Sequence, residues 1–152
     1  MTDSVTDLHF LFVYGTLMRN AHNPQAQHFH QTASFLGPAR WQGRLYLVSY
    51  YPGAVPSELT EVIVHGELWT LTNPQTLALL DQYEECTSLD PLPHESTRSI
   101  ETVWLGEQAL KAWVYIYKRD TNGLKQITSG HFRSESLWIE RLTIQSEKVD
   151  YP

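Results

Sequence analysis

Phe12-Val13-Tyr14-Gly15-Thr16-Leu17 carries an apolar run straight into a glycine turn. The run begins at residue 8, is apolar almost throughout and stops at Gly15, so residues 8–14 predict a central strand. Outward from it, residues 61–71 alternate: Val62, Val64, Gly66, Leu68 and Thr70 share one face, and Ile63, His65, Glu67, Trp69 and Leu71 the other. Residues 39–48 alternate through Trp41, Gly43, Leu45 and Leu47, and Tyr51-Pro52-Gly53 reads as a turn. Residues 99–105 and 109–118 read as a strand pair joined around Gly106.

Helices are few and short. Asn23-Pro24 offers an N-cap with proline at the first helical position, which predicts a helix over 25–32. Asn73-Pro74 repeats the signal, with Leu77, Leu80 and Glu84 at helical spacing. Residues 86–95 contain Pro91 and Pro93 and read as a loop, and 134–142 is a further helix candidate. The elements do not alternate as β-α units with crossover helices. The expected fold is α+β: a small mixed, mostly antiparallel β-barrel with a few short flanking helices. It forms a single domain over 8–152, preceded by a loose leader at 1–7.

Composition narrows the function. A chain of 152 residues buries roughly 70% of its unfolded surface, enough for a core without staples. The net charge is −6, and Lys125, Arg133 and Arg141 are scattered, which argues against a nucleic-acid platform. Cys86 is the single cysteine, so no intrachain disulfide forms and a reducing cytoplasm is permitted. The run at 10–13 is too short for a signal peptide core, and no stretch approaches the ~18 apolar residues of a membrane span.

Two places suit chemistry. A glycine after a strand can take φ > 0 and let successive N–H groups point the same way, forming a nest for a carboxylate or an oxyanion. The turn at Gly15 fits that description, and no Gly-Lys-Ser or Gly-Lys-Thr follows to make it a nucleotide loop. Glu84 ends the second helix on the side of Leu80, whereas Glu85 faces water. A partly buried glutamate has the raised pKa that a general base needs. A turn of N–H groups opposite one carboxylate suits a reaction that moves a proton and needs no external nucleophile.

Other groups carry less. Cys86 follows two acids, which disfavours a thiolate. His22, His28 and His30 lack metal-site geometry, since helical positions two apart do not share a face. Ser49 and Ser57 lack a Gly-x-Ser-x-Gly setting. Trp113, Tyr115 and Tyr117 stand at strand spacing and suit a core or pocket wall, and Phe132 and Trp138 suit a cover for one barrel end.

Several segments match one family in order. The chain resembles the gamma-glutamylcyclotransferase-like, or AIG2-like, proteins through Phe12-Val13-Tyr14-Gly15-Thr16-Leu17, Asn23 and Phe35-Leu36-Gly37-Pro38-Ala39. The match continues through Tyr51-Pro52-Gly53-Ala54-Val55, Val64-His65-Gly66-Glu67-Leu68, Leu80-Asp81-Gln82-Tyr83-Glu84, Arg98 and Ala112-Trp113-Val114-Tyr115. The resemblance implies a small mixed barrel and a catalytic acid/base at Glu84. It implies substrate-binding roles for Tyr14, Gly15, Thr16 and Leu17, and for Tyr51, Arg98 and Tyr115. It implies release of 5-oxoproline from a gamma-glutamyl amide, amino acid or lysine isopeptide, with no cofactor or metal. The expected partner is a small gamma-glutamyl molecule, with no nucleic acid or membrane. Ser96, where the family often has tyrosine, and His131, where it usually has an acid, depart from the pattern. They motivate the alternative of a non-catalytic binding or regulatory module on the same fold.

Overall fold

A computed structural model describes residues 9–73, 75–84 and 95–132. The expected leader, the loop up to Glu95, Glu85, Cys86 and the helix candidate at 134–142 with Trp138 lie outside them. In chain order the elements are β1 (Phe10–Val13), α1 (Pro24–Thr32), β2 (Ala33–Leu47), β3 (Pro52–Pro56), β4 (Ile63–Leu71), α2 (Gln75–Tyr83), β5 (Ser96–Leu105), β6 (Gln108–Tyr117) and β7 (Lys125–Gln126).

β1 is central. It runs antiparallel to β4 and parallel to β6, and β5 pairs with β6 as an antiparallel hairpin. β4 pairs with β2, and β2 meets β5 at Arg40 and Trp104. That last pairing closes a five-stranded mixed barrel, with β3 and β7 attached along the far half of β2.

β1 is apolar at successive positions because both its faces are buried, unlike a strand with one wet face. Phe12 points into the barrel with Val64, Leu68, Val103 and Val114. Leu11 and Val13 point outward and are covered by Ala26 and Phe29 of α1, Leu80 of α2, and Trp69. Gly66 of β4 makes the close approach possible, since a Cβ there would stand 2.2 Å from the Val13 carbonyl oxygen.

Asn23 caps α1 as expected: its side chain accepts from the Ala26 N–H at 2.8 Å, with proline following. Asn73 likewise accepts from the Gln75 N–H at 2.9 Å ahead of α2. Strand boundaries differ from expectation at several places; β5, for example, begins at Ser96 and not at 99. β2 begins at Ala33, not 39, because a register shift between Phe35 and Gly37 lets the strand pass through Gly37-Pro38. The turn expected at Tyr51-Pro52-Gly53 lies just before it, and Pro52 and Gly53 pair with Leu47 and Tyr46 as the start of β3. Among the described residues no helix is long and apolar enough to cross a membrane.

Candidate active site

The chain leaves the barrel at the end of β1 and turns at once, the Met18 N–H closing on the Gly15 carbonyl at 3.2 Å. α1 fixes this turn from outside. Asn23 Nδ2 donates to the Thr16 carbonyl at 2.7 Å, and His30 Nε2 lies 2.8 Å from the Leu17 carbonyl. In a trans peptide the carbonyl and the following N–H point in opposite directions. Drawing the Thr16 carbonyl toward α1 therefore turns the Leu17 N–H away from it. Among the described residues no protein acceptor takes the N–H groups of Gly15, Thr16 or Leu17.

Gly15 is needed for a reason other than the one its sequence context suggests. It is not among the positive-φ glycines. A Cβ on Gly15 would instead stand 2.7 and 2.8 Å from Cγ and Cδ of Pro52. Absence of a side chain lets the turn close against β3, and the backbone needs no left-handed conformation there.

α2 brings Glu84 to this turn through three attachments. Leu80 is buried beneath it. Asp81 takes both Nε and Nη2 of Arg98, at 2.9 and 3.0 Å, and the Tyr115 hydroxyl at 2.7 Å. The Tyr83 hydroxyl and Thr16 Oγ1 are 2.7 Å apart, tying helix to turn directly. Glu84 then closes the last helical turn on the Leu80 carbonyl, and its own carbonyl accepts from the buried Ser96 hydroxyl at 2.8 Å.

These elements line a cavity of about 80 Å³. Its lining includes Tyr14, Gly15, Thr16, Leu17, Tyr51, Tyr115 and Glu84, so all but one of the site residues expected from sequence come together. Arg98 is the exception. It does not line the pocket; its guanidinium is paired with Asp81 and lies over the Trp113 ring, 4.2 Å from the centroid. Its place is behind the wall, holding α2 to β5 and β6.

The wall is rich in tyrosine. The Tyr14 hydroxyl donates to the Tyr115 carbonyl at 2.6 Å. Burial holds it far above the ordinary phenol range, and the Glu84 charge adds to the shift. Burial likewise pushes Tyr115 up, with its bond to Asp81 and the charges of Asp81 and Glu84 adding to it. Burial also raises Tyr83, and Glu84 contributes there too. These phenols stay protonated at any working pH, and the charge of one carboxylate, Glu84, acts on all three.

Two contributors carry no signal of their own in the sequence. Asp81, one letter of the Leu80–Glu84 motif, organises the wall through Arg98 and Tyr115. Glu95, the last residue of the expected loop, lines the pocket, and its carboxylate accepts from the Tyr51 hydroxyl. Of the histidines, His30 is engaged with the turn and stacked on Trp69, with ring centroids 4.7 Å apart, while His28 is exposed.

Residues 11–134 match the family model described as gamma-glutamyl cyclotransferase, AIG2-like. The chain belongs to this family. It is 35% identical over 132 residues to the gamma-glutamylcyclotransferase family protein YtfP of Escherichia coli strain K12, covering 86% of this chain and 96% of that one. The solution structure of the Escherichia coli protein superposes with a TM-score of 0.59 at 33% identity, over 84% of this chain and 98% of the other. An AIG2-like protein from Mus musculus gives a TM-score of 0.62 at 23% identity over 84% and 90% of the two chains, a likeness of fold. Family membership supports a gamma-glutamyl cyclotransferase-like function at the level of class.

Proposed function

We propose that the pocket catalyses intramolecular cyclotransfer on a gamma-glutamyl compound, releasing 5-oxoproline and an amine. The observation that carries this reading is that Glu84 lines one pocket with Gly15, Thr16 and Leu17, whose N–H groups take no protein acceptor among the described residues. In this reaction the substrate's α-amine attacks its own γ-carbonyl. The new C–N bond closes a five-membered lactam, and the bond to the leaving amine breaks. The nucleophile is already attached, so the protein contributes orientation, which is worth much in reactions of this kind.

Glu84 accepts the proton that the α-ammonium must lose and passes it to the departing nitrogen, so no water is consumed. The N–H groups of the turn receive anionic oxygen, as the α-carboxylate or as the oxyanion of the tetrahedral intermediate. A donor of the latter kind contributes roughly 3–4 kcal/mol. Tyr14, Tyr51 and Tyr115 complete the substrate wall, and Arg98 acts through Asp81.

The test is 5-oxoproline release from a panel of gamma-glutamyl dipeptides, gamma-glutamyl amines and gamma-glutamyl-lysine, with Glu84→Gln in parallel. Release by the wild type and loss in a folded Glu84→Gln variant supports the reading. Tight binding of 5-oxoproline with no release from any member favours the non-catalytic module instead.

A further inference from the structure

Glu95 is the one charged pocket residue without a role in the reaction above. It is held as a built part of the site. Its carbonyl accepts from the Lys118 N–H at 2.8 Å, which fixes its backbone at the open end of the β5–β6 hairpin. Its side chain is only partly exposed and accepts from the Tyr51 hydroxyl, and Tyr51 itself lines the pocket beside Pro52. The charge of Glu95 reaches Tyr14, which lines the same pocket.

The lining residues include two carboxylates, Glu84 and Glu95, and no Lys, Arg or His among those described. The cation of the neighbouring strand, Arg98, is paired with Asp81. A pocket of this composition favours a ligand that brings a positive charge to its acidic side and a negative charge to the N–H groups of the turn. The two ends of an α-amino acid head group carry those charges. A carboxylate accepts through two oxygens with several lone pairs, so the Tyr51 bond orients Glu95 and leaves acceptor capacity for an ammonium.

Resting on the cyclotransferase reading, we propose that Glu95, oriented by Tyr51, recognises the substrate's α-ammonium and presents it to Glu84. The pocket then divides the work: one carboxylate selects and positions the amine, and the other removes its proton. Glu95 is a specificity residue for substrates with a free α-amine.

The experiment compares two probes in the Glu84→Gln background, where binding is read without turnover. L-Glutamine carries the α-ammonium; glutaramate has the same carboxylate and amide without it. Titration calorimetry gives both dissociation constants, with and without Glu95→Gln. Loss of a charged hydrogen bond predicts that Glu95→Gln weakens L-glutamine about tenfold or more and leaves glutaramate within about twofold. Tyr51→Phe is expected to move L-glutamine in the same direction by less, and it keeps the test alive if Glu95→Gln does not fold. Equal weakening of both probes, or unchanged preference for L-glutamine, overturns the assignment of Glu95 alone. Failure of both probes to bind the Glu95-intact protein overturns the glutamyl reading of the pocket and the assignment with it.

Discussion

Replacing Gly15 with alanine separates two explanations for a glycine in the turn. Among the described residues, a Cβ at Gly15 would meet only Cγ and Cδ of Pro52 within 4 Å beyond its chain neighbours, at 2.7 and 2.8 Å. Pro52 is buried at the start of β3, so its ring has little room to give. Overpacking of this kind costs about 1–3 kcal/mol. Gly→Ala also removes freedom from the unfolded chain, which returns about 0.4–1 kcal/mol where the backbone is compatible. The expected net loss is roughly 1–2 kcal/mol, or a fall in Tm of about 2–4 °C per kcal/mol. Pro52→Ala removes both clashing atoms. In that background Gly15→Ala is expected to be neutral or slightly stabilising, so the double variant is less destabilised than the sum of the singles by about 1 kcal/mol or more. Urea unfolding followed by tryptophan fluorescence measures all four corners of the cycle. An equal cost of Gly15→Ala in both backgrounds would mean that backbone conformation, not the proline ring, demands glycine, and would refute the packing argument.

Three further outcomes follow from the same geometry. Asn23→Ala removes both the α1 cap and the bond to the Thr16 carbonyl, so it is expected to cost about 0.5–2 kcal/mol and to raise KM in the 5-oxoproline assay; Asn23→Ser, which restores a cap on a shorter side chain, is expected to recover stability in urea but not KM, and joint recovery would detach the turn from Asn23. Tyr115→Phe takes one of three donors from Asp81, a bond to a charged group worth about 1.5–3 kcal/mol, and an unchanged urea midpoint would remove Tyr115 from the helix-docking set. His65 is held below its ordinary value by burial, with His131 and Arg40 adding to the shift. The unfolded chain therefore binds that proton first on acidification, and the stability His65 contributes is full above about pH 6.5 and is lost as pH falls through its lower folded value. His65→Gln is expected to show a shallower fall in urea midpoint between pH 7.5 and 5.5 than the wild type, and parallel profiles would contradict this.

The parts of the fold written locally were readable. Alternation placed β4, and asparagine followed by proline placed the start of α1, because both signals need only neighbouring residues. β2 was readable only from 39 onward. Pro38 in a strand argues for a boundary, yet β2 carries it because β4 holds that stretch on one side while β5 meets β2 only at Arg40. Barrel closure rests on the pairing of Arg40 with Trp104, residues far apart in sequence, and no local pattern announces it.

The site divides along the same line. Glu84 was legible because a helix carries its direction with it: once Leu80 faces the core, the residue four positions later lies on the same side. Arg98 carried no such directional signal. It stands on a strand beside α2, and the partner that takes its guanidinium is Asp81, seventeen positions away and itself read only as a motif letter. Glu95 is harder still. It precedes β5, and its place depends on the register that sets Ser96 opposite Tyr117 and brings the Lys118 N–H to its carbonyl. Register between strands is a property of the assembled sheet. Gly15 shows a third case, in which the position is legible and its cause is not. A glycine after a strand suggests backbone freedom, but here the decisive neighbour is a proline thirty-seven positions later, delivered by the pairing of β3 with β2. What the pocket does therefore depends on contacts that exist only after the barrel has closed, and the groups most dependent on them, Glu95 and Tyr51, are those we assign to choosing the substrate.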